Sequence, residues 1–203
     1  HEYHQRIKMA IDSLIKNGEI YLKPGKDGLD KLSPKMKQML ENINNSPGLV
    51  LVYSNFRTIE GVGIFSHILD FNGYSKWNNP HTSSKFKYAI HSGVEDVKER
   101  AEIIKIFTSN ENIHGDLIKI LLITSSAAEG LDLKAIRQIH IMEPYWNQMR
   151  IEQVIGRGVR RNSHSMLPQK DRNVEIYRYF SVLPHLSSHK SSSQFTLGIV
   201  TEQ

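Results

Sequence analysis

Three arginines fall within the stretch RGVRR, which begins at Arg157 and includes Arg160. Gln153 precedes Arg157 by four residues and Arg160 follows it by three. A helix or tight helical turn would therefore direct the glutamine and these two arginines to one side. Gly156 and Gly158 would keep that surface low and let a ligand approach. Two converging guanidinium groups suit a triphosphate, because their planar donors pair with phosphate oxygens and stabilise charge at the γ-phosphoryl group. A solvated basic turn, the alternative, needs neither the glutamine nor the glycines.

Short polar residues follow four apolar stretches of the sequence. SNF follows LVLVY, HSG follows KYAI, SSAAEGLD follows IKILLIT, and EPYWN follows QIHIM. In an open parallel sheet, ligands collect at the carboxyl ends of the strands. Hydroxyl and amide side chains, together with free backbone N–H groups, can grip a phosphodiester backbone. Turn formation would explain any one of these loops, so the case for a ligand rests on their sharing one edge.

The stretch EGLD, which ends at Asp132, is more specific. Gly130 permits close approach of the backbone, and Asp132 can accept hydrogen bonds from a ribose hydroxyl. The alternative is an aspartate that only forms a turn. The stretch GVGIF at 61–65 lacks the third glycine of a dinucleotide-binding motif, so we assign it no phosphate role.

The elements that must position these residues alternate along the chain. A helix is predicted over 3–16, followed by the connector KPGKDG, and Ser33 with Pro34 predicts the start of a second helix. Strands are then predicted at LVLVY, KYAIH, IKILLIT, QIHIM and VEIYRYF, with helices at 59–69, VEDVKERAEIIKIF and NQMRIEQVIG. This alternation predicts an α/β fold, a three-layer RecA-like or Rossmann-like sandwich with a mostly parallel central sheet.

Composition narrows the class of protein. The chain has 203 residues, 39% of them hydrophobic, which is enough for one sizeable core. It contains no cysteine, so disulfides and thiolate metal sites are excluded and an intracellular setting is favoured. The apolar runs are too short to span a bilayer, so we expect no membrane partner. The formal net charge of +5 favours a polyanion such as nucleic acid. His185 and His189 have a helical metal spacing but no third ligand nearby, so we predict no metal ligands.

The motifs together resemble a known family. QVIGRGVRR resembles the Q-x-x-G-R-x-x-R element, motif VI, of superfamily 2 helicases and translocases. GLVLVYSNF resembles motif IV, YAIHSGVEDVKERAEIIKIF the His-Ser-Gly element that follows it, and ILLITSSAAEGLDLKAIRQIHIMEPYWN motif V with its downstream strand. The motifs occur in the family's order over roughly 33–180.

Within that superfamily, the chain is most similar to the Swi/Snf-related helicases of nucleocytoplasmic large DNA viruses. Gln153 in place of histidine, EPYWN, and FTSNENIHGDLIKILLITSSAAEGLDL carry this resemblance. It implies a role in viral transcription or genome handling, with the viral transcription machinery as a partner and the host cytoplasm or the virion as the location.

One departure from the family pattern limits what the chain can contain. No Walker A glycine-lysine-threonine loop and no Asp-Glu-x-His box occurs in the sequence. The resemblance therefore implies the second RecA-like domain alone, at 33–183, with a linker or accessory helix and connector at 1–32 and a polar tail at 184–203. ATP and Mg²⁺ would be held by the missing first RecA-like domain of the same protein, which is the expected partner.

The resemblance also implies roles for individual residues. Arg157 and Arg160 would act as arginine fingers on ATP, and Gln153 would couple the phosphate to neighbouring elements. Glu129, Gly130 and Asp132 would contact the nucleotide. Seven residues at the strand ends would contact the backbone of DNA or RNA without reading its sequence: Ser54, Asn55, His91, Ser92, Gly93, Thr124 and Ser125. For His91, a purely structural role is equally open.

Two alternatives come from other classes of protein. A non-catalytic nucleic-acid-binding or docking module could keep the fold, but it would not need the arginine pair. A Rossmann-type enzyme would need a glycine-rich phosphate loop after its first strand, and the sequence has none there.

Overall fold

A computed structural model describes residues 2–80, 84–128, 130–145, 147–160 and 162–181. Its centre is a six-stranded sheet in the order β2-β3-β4-β1-β5-β6. Every neighbouring pair of strands is parallel, as the alternation of strands and helices predicted. The strands are β1 Leu49–Ser54, β2 Tyr74–Lys76, β3 Phe86–His91, β4 Ile120–Thr124, β5 Ile136–Ile141 and β6 Glu175–Arg178.

Seven α-helices and two short 3₁₀ turns surround the sheet in the described residues. The helices are α1 Glu2–Lys16, α2 Gly18–Tyr21, α3 Leu29–Leu32, α4 Pro34–Asn44, α5 Val62–Phe71, α6 Val97–Phe107 and α7 Gln148–Gly158, and the 3₁₀ turns are Asn110–Asn112 and Gln169–Asp171. The start of α4 is the one that the sequence predicted. Ser33 Oγ accepts a hydrogen bond from the Met36 N–H at 3.4 Å, and Pro34 occupies the first turn, where its missing N–H costs nothing.

The core lies on both faces of the sheet. On one face, α6 contributes Ile103 and Phe107 to a hydrophobic cluster, and α7 contributes Val154. The side chains of β1, β4 and β5 that point to this face complete the cluster. On the other face, α4 and α5 pack against a second cluster that includes Met39 and Phe65. All six residues of β1 are buried, because β1 lies in the middle of the sheet with a helical layer on each side. The three-layer α/β sandwich is confirmed.

Two parts of the chain differ from what their sequence suggested. Strand β2 was not predicted, because its three residues YSK show no apolar run. The connector before Ser33 packs against the rest of the domain, unlike a free linker, since Leu22 and Leu29 are each 2% exposed and belong to the core. The Asn72 amide also donates to the Leu22 carbonyl oxygen at 2.8 Å. The domain boundary at 33 stays a prediction, and the polar tail at 184–203 lies outside the described residues.

A buried polar group ties the sheet to α4. His140 on β5 is fully buried, and its ring nitrogens lie 2.8 Å from the Tyr179 hydroxyl and 3.1 Å from the Gln138 amide oxygen. Asn42 on α4 donates to the same Tyr179 oxygen at 2.9 Å. Burial lowers the pKa of His140 to about 3, so the ring is neutral and serves as a hydrogen-bonding element of the core.

Candidate nucleotide and nucleic-acid interface

The loops after β1, β3 and β4 meet at one edge of the sheet. Ser54 at the end of β1 pairs in register with Thr124 at the end of β4, and His91 at the end of β3 pairs with Ile123. A Cβ atom added to Gly93 would lie 2.9 Å from Ser126 Oγ, so the β3 and β4 loops are in contact. The shared edge that the polar loops predicted is therefore confirmed.

At the end of β1, a carboxylate already engages the predicted phosphate-binding groups. Ser54 is fully buried, and its hydroxyl lies 2.9 and 3.1 Å from the two oxygens of Glu143, to which it donates. The backbone N–H of Asn55 donates to the same carboxylate. The Phe56 N–H donates back to Ser54 Oγ at 3.0 Å. Ser54 and Asn55 are thus held in place by Glu143, which follows β5.

Sequence reasoning gave Glu143 no role, although it stands in the EPYWN stretch. Burial raises the pKa of Glu143, and the hydrogen bonds from Asn55 and Ser54 and the positive charge of Lys35 oppose that rise. The available signal was an acidic residue directly after a buried strand, a position where a carboxylate needs donors from its neighbours.

At the end of β3, a second carboxylate organises the loop. The Ser92 N–H and hydroxyl donate to the two oxygens of Glu95, at 2.6 and 2.9 Å. Arg57, from the β1 loop, donates to Ser92 Oγ at 3.0 Å. Burial favours a higher pKa for Glu95, but the hydrogen bonds from Ser92 outweigh it and the pKa is lowered. Sequence reasoning assigned no role to Arg57 or Glu95, which join the β1 and β3 loops.

The other predicted nucleic-acid contacts differ in their accessibility. Gly93 is exposed and Ser125 is half-buried, whereas Thr124 is buried and its hydroxyl lies 3.1 Å from Ser126 Oγ. His91 is 7% exposed, and its Nδ1 is buried without a hydrogen-bond partner among the described residues. Burial is the main cause of the lowered pKa of His91, so its ring is neutral near pH 7.

On the other side of the β4 loop, two predicted nucleotide-site residues are in contact. Arg160 Nη1 lies 3.2 Å from Asp132 Oδ1, and both side chains are exposed. Gly130 has a φ of +77° with open space where a side chain would be, a backbone conformation that L residues rarely adopt. Glu129, the remaining predicted nucleotide contact, lies outside the described residues.

The arginine motif is divided between a helix and the turn after it. Gln153 and Arg157 lie on α7, which ends at Gly158, so Arg160 lies beyond the helix and is directed to Asp132 by the following turn. Arg157 is half-buried, and among the described residues its guanidinium has neither a hydrogen bond nor an ion pair. Gln153 is exposed.

The two glycines of that motif have different surroundings. A Cβ atom at Gly158 would lie 2.8 Å from the Ile139 side chain, so Gly158 allows α7 to pack closely on β5. At Gly156 nothing lies within 4 Å of such an atom. Open space for an approaching ligand, which the sequence predicted at both glycines, is therefore found at Gly156 alone.

In the part of the chain that the structure describes, no three His, Asp or Glu side chains are grouped so that they could hold a metal ion. Among the same residues, no helix has both the length and the apolar character needed to cross a membrane.

Comparison with solved structures supports the fold. The crystal structure of the C-terminal part of the Fun30 ATPase domain superposes with a TM-score of 0.52 at 18% identity, covering 87% of this chain and 48% of that one. The α/β sandwich described above accordingly shares its fold with the C-terminal part of that ATPase domain.

Comparison with known sequences supplies the family. A protein of Acanthamoeba polyphaga mimivirus, R350, whose name describes an ATP-dependent RNA helicase, is 40% identical over 155 residues, which is 75% of this chain and 18% of that protein. The termination factor NPH-I homolog of African swine fever virus is 36% identical over 184 residues, 74% of this chain and 26% of that protein. The chain thus spans about a quarter or less of the length of these relatives. Residues 34–162, more than half of the chain, match the helicase conserved C-terminal domain, and the chain belongs to that family.

Proposed function

We propose that this chain is the second motor domain of an ATP-dependent superfamily 2 helicase or translocase. Membership of the helicase C-terminal domain family supports this, as do relatives of which the matched segment covers only 18% and 26%. The observation that carries the proposal is the guanidinium of Arg157, which has no hydrogen bond or ion pair among the described residues and precedes Arg160 of the exposed Arg160–Asp132 pair by three positions. An arginine held half-buried without an anion is suited to receive one from a ligand or a neighbouring domain.

In this proposal ATP binds between this domain and a first RecA-like domain. Arg157 donates to the γ-phosphate when the two domains close, and Arg160 exchanges Asp132 for a phosphate oxygen. Gln153, one turn before Arg157, couples the phosphate to the adjacent elements. Gly130 and Asp132, with Glu129, face the nucleotide. An exposed ion pair such as Arg160–Asp132 contributes little to stability, so exchanging it costs little.

Magnesium belongs to the other domain in this proposal. The described residues of this chain contain no metal-ligand cluster. Mg²⁺ supplies neutralisation of the phosphate charge during phosphoryl transfer. In this proposal this chain contributes planar donors and positive charge at the γ-phosphate.

Nucleic acid, DNA or RNA, crosses the edge where the β1, β3 and β4 loops meet. Asn55, Gly93 and Ser125 are accessible enough to contact phosphates directly. Of the buried members of the set, His91, Ser92 and Thr124 shape the loops that present them, whereas the Ser54 hydroxyl donates to Glu143. Because such groups contact the phosphate backbone rather than base edges, binding is independent of sequence.

The similarity to a mimivirus protein named as an RNA helicase and to a viral termination factor homolog supports a biological setting. We infer that the whole protein acts inside an infected cell or in the virion, on the nucleic acid of viral transcription, together with the transcription machinery.

The isolated chain provides the test. Without a first domain it should not release phosphate from ATP and Mg²⁺, and it should bind single- or double-stranded oligonucleotides weakly, with affinity that falls as salt rises. Phosphate release and fluorescence anisotropy at two salt concentrations measure these properties. Sustained ATP hydrolysis that is lost in Arg157→Ala would contradict the half-motor proposal. Tight binding of one sequence at high salt would contradict the nucleic-acid part.

A further inference from the structure

The contact between Glu143 and the end of β1 resembles the way a protein holds a bound anion. The Ser54 hydroxyl and the Asn55 N–H both donate to the carboxylate, which comes from a residue 89 positions after Ser54. These are the same hydroxyl and backbone donors that the sequence assigned to a phosphate of the nucleic acid. In the structure, the donors are occupied by an anion that belongs to the protein.

A further donor lies close to this carboxylate. The Nδ2 group of Asn55 is buried and has no partner at full hydrogen-bond geometry among the described residues, yet it lies near enough to help lower the pKa of Glu143. Lys35, in the first turn of α4, is half-buried and lies near enough for the charge of Glu143 to raise its pKa against the larger lowering by burial. A buried carboxylate held mainly by neutral donors is costly, and its retention calls for an explanation.

A carboxylate and a phosphate oxygen compete for the same donors. Two anions cannot share the Ser54 and Asn55 protons without strong repulsion in a site from which water is largely excluded. We propose that Ser54 and Asn55 form an anion cradle in which Glu143 and a phosphate of bound nucleic acid exclude each other. Glu143 is then a latch that keeps the nucleic-acid loop closed until phosphate displaces it. The inference rests on the proposed function, because it specifies how that nucleic-acid edge is engaged.

Displacement of Glu143 would affect α7, the next helix along the chain. Pro144 and Tyr145 follow it, and α7 begins at Gln148, so the segment that Glu143 anchors leads into the helix that carries Arg157. Because this contact has two states, phosphate bound at the β1 loop can change the position of α7, the helix that carries Arg157.

The sign of one substitution separates a latch from a simple structural contact. Glu143→Gln removes the charge that holds the cradle, so affinity for a single-stranded oligothymidylate or oligouridylate should increase. The matched control is Glu60→Gln, which removes one negative charge from an exposed position in the β1–α5 connection, the segment that also contains Asn55. We expect Glu143→Gln to bind about tenfold more tightly than Glu60→Gln, the size of one hydrogen bond to a charged group.

A second pair of variants tests the cradle itself. Ser54→Ala removes the hydroxyl and should weaken oligonucleotide binding even though it also loosens Glu143. Ser46→Ala is its control, because Ser46 is a buried serine just before β1 whose hydroxyl donates to the Gly48 carbonyl oxygen at 3.1 Å, at the opposite end of the strand. Ser46→Ala should leave binding unchanged.

Hydrogen exchange of the wild-type chain gives a measurement that needs no variant to fold. On addition of oligonucleotide, the β1 loop should become protected while the β5–α7 connection exchanges faster. Equal or weaker binding by Glu143→Gln than by Glu60→Gln, or protection of both segments, would overturn the latch. If wild type neither binds oligonucleotide nor changes its exchange at the β1 loop, the proposed nucleic-acid function fails first, and the two failures are distinguishable.

Discussion

The end of β1 and the end of α7 both carry residues that the sequence marked for anion binding, yet the two regions are built differently. At the end of β1, Ser54 is fully buried and its donors are committed to Glu143. At the end of α7, Arg160 and Asp132 form an ion pair whose side chains are 46% and 62% exposed. Arg157, three positions before Arg160, has no hydrogen-bond or ion-pair partner among the described residues.

This difference indicates that the polar residues at the end of β1 and those at the end of α7 have different roles. Polar groups that are buried and mutually satisfied fix the shape of a loop, because leaving one of them unpaired costs free energy. Exposed or unpaired groups contribute little to folding and remain available to a ligand. We therefore expect substitutions near β1 and β3 to reduce stability, and substitutions at the α7 end to reduce activity.

The largest effect is expected from Arg157→Lys in a protein that also contains the first motor domain. Lysine keeps the charge but loses the planar fork, and finger arginines contribute on the order of a thousandfold or more to phosphoryl transfer. The turnover number for ATP should fall by about that factor, with ATP affinity nearly unchanged. Steady-state kinetics with nucleic acid present measures both.

Arg6→Lys is the control for that experiment. Arg6 lies on α1 and forms an exposed ion pair with Glu2, far along the chain from α7. The substitution should leave turnover unchanged. Equal losses in the two variants would indicate a general need for arginine rather than a positioned finger.

Next in size is Ser92→Ala, which acts on the buried region. It removes the hydroxyl that donates to Glu95 and accepts from Arg57, so the free energy of unfolding should fall by about 2 kcal/mol, as for hydrogen bonds to charged groups. Urea denaturation measures the change.

The pH dependence of that change checks its cause. Hydrogen bonds from Ser92 help to lower the pKa of folded Glu95 below 4.5, so this carboxylate stabilises the fold above pH 4.5 and loses that effect as pH falls. The stability gap between wild type and Ser92→Ala should narrow below pH 4.5. Ser126→Ala, an exposed serine of the adjoining β4 loop, is the control and should show no such gap. A stability difference that stays constant with pH would show that the effect of Ser92 on stability does not depend on the charge of Glu95.

The sequence was informative wherever local pattern decides the structure. The buried run of β1, the cap at Ser33 and the helix that carries Arg157 follow from apolar periodicity and end signals within a few residues. The Ser54–Glu143 contact joins positions 89 apart, and no local rule selects that glutamate. Likewise, positions 156 and 158 are both glycine and lie in one motif, so the sequence does not distinguish them. Only the position of Ile139 on β5 makes Gly158 a packing residue.

These two glycines provide a smaller test within α7. Gly158→Ala should lower the free energy of unfolding by about 1 kcal/mol, because overpacking against Ile139 exceeds the gain in helix propensity. Gly156→Ala should raise it by up to about 1 kcal/mol, because the added methyl group meets nothing and alanine favours a helix. If a ligand approaches Gly156, the stabilised variant should still lose ATP turnover in the longer protein. Full activity of Gly156→Ala would mean that this surface is not contacted.

The smallest effect on stability is expected from Asp132→Asn, which breaks the ion pair with Arg160 while keeping the shape of the side chain. Both partners are largely exposed and held by one contact at 3.2 Å, so water and salt screen the attraction. The free energy of unfolding should change by less than about 0.5 kcal/mol, and less again at high salt. Urea denaturation at low and high salt measures this, with Ser92→Ala as the reference for a committed contact. A loss as large as that of Ser92→Ala would show that Asp132 and Arg160 hold the fold together, and the α7 end would then belong with the buried loops instead of standing apart from them.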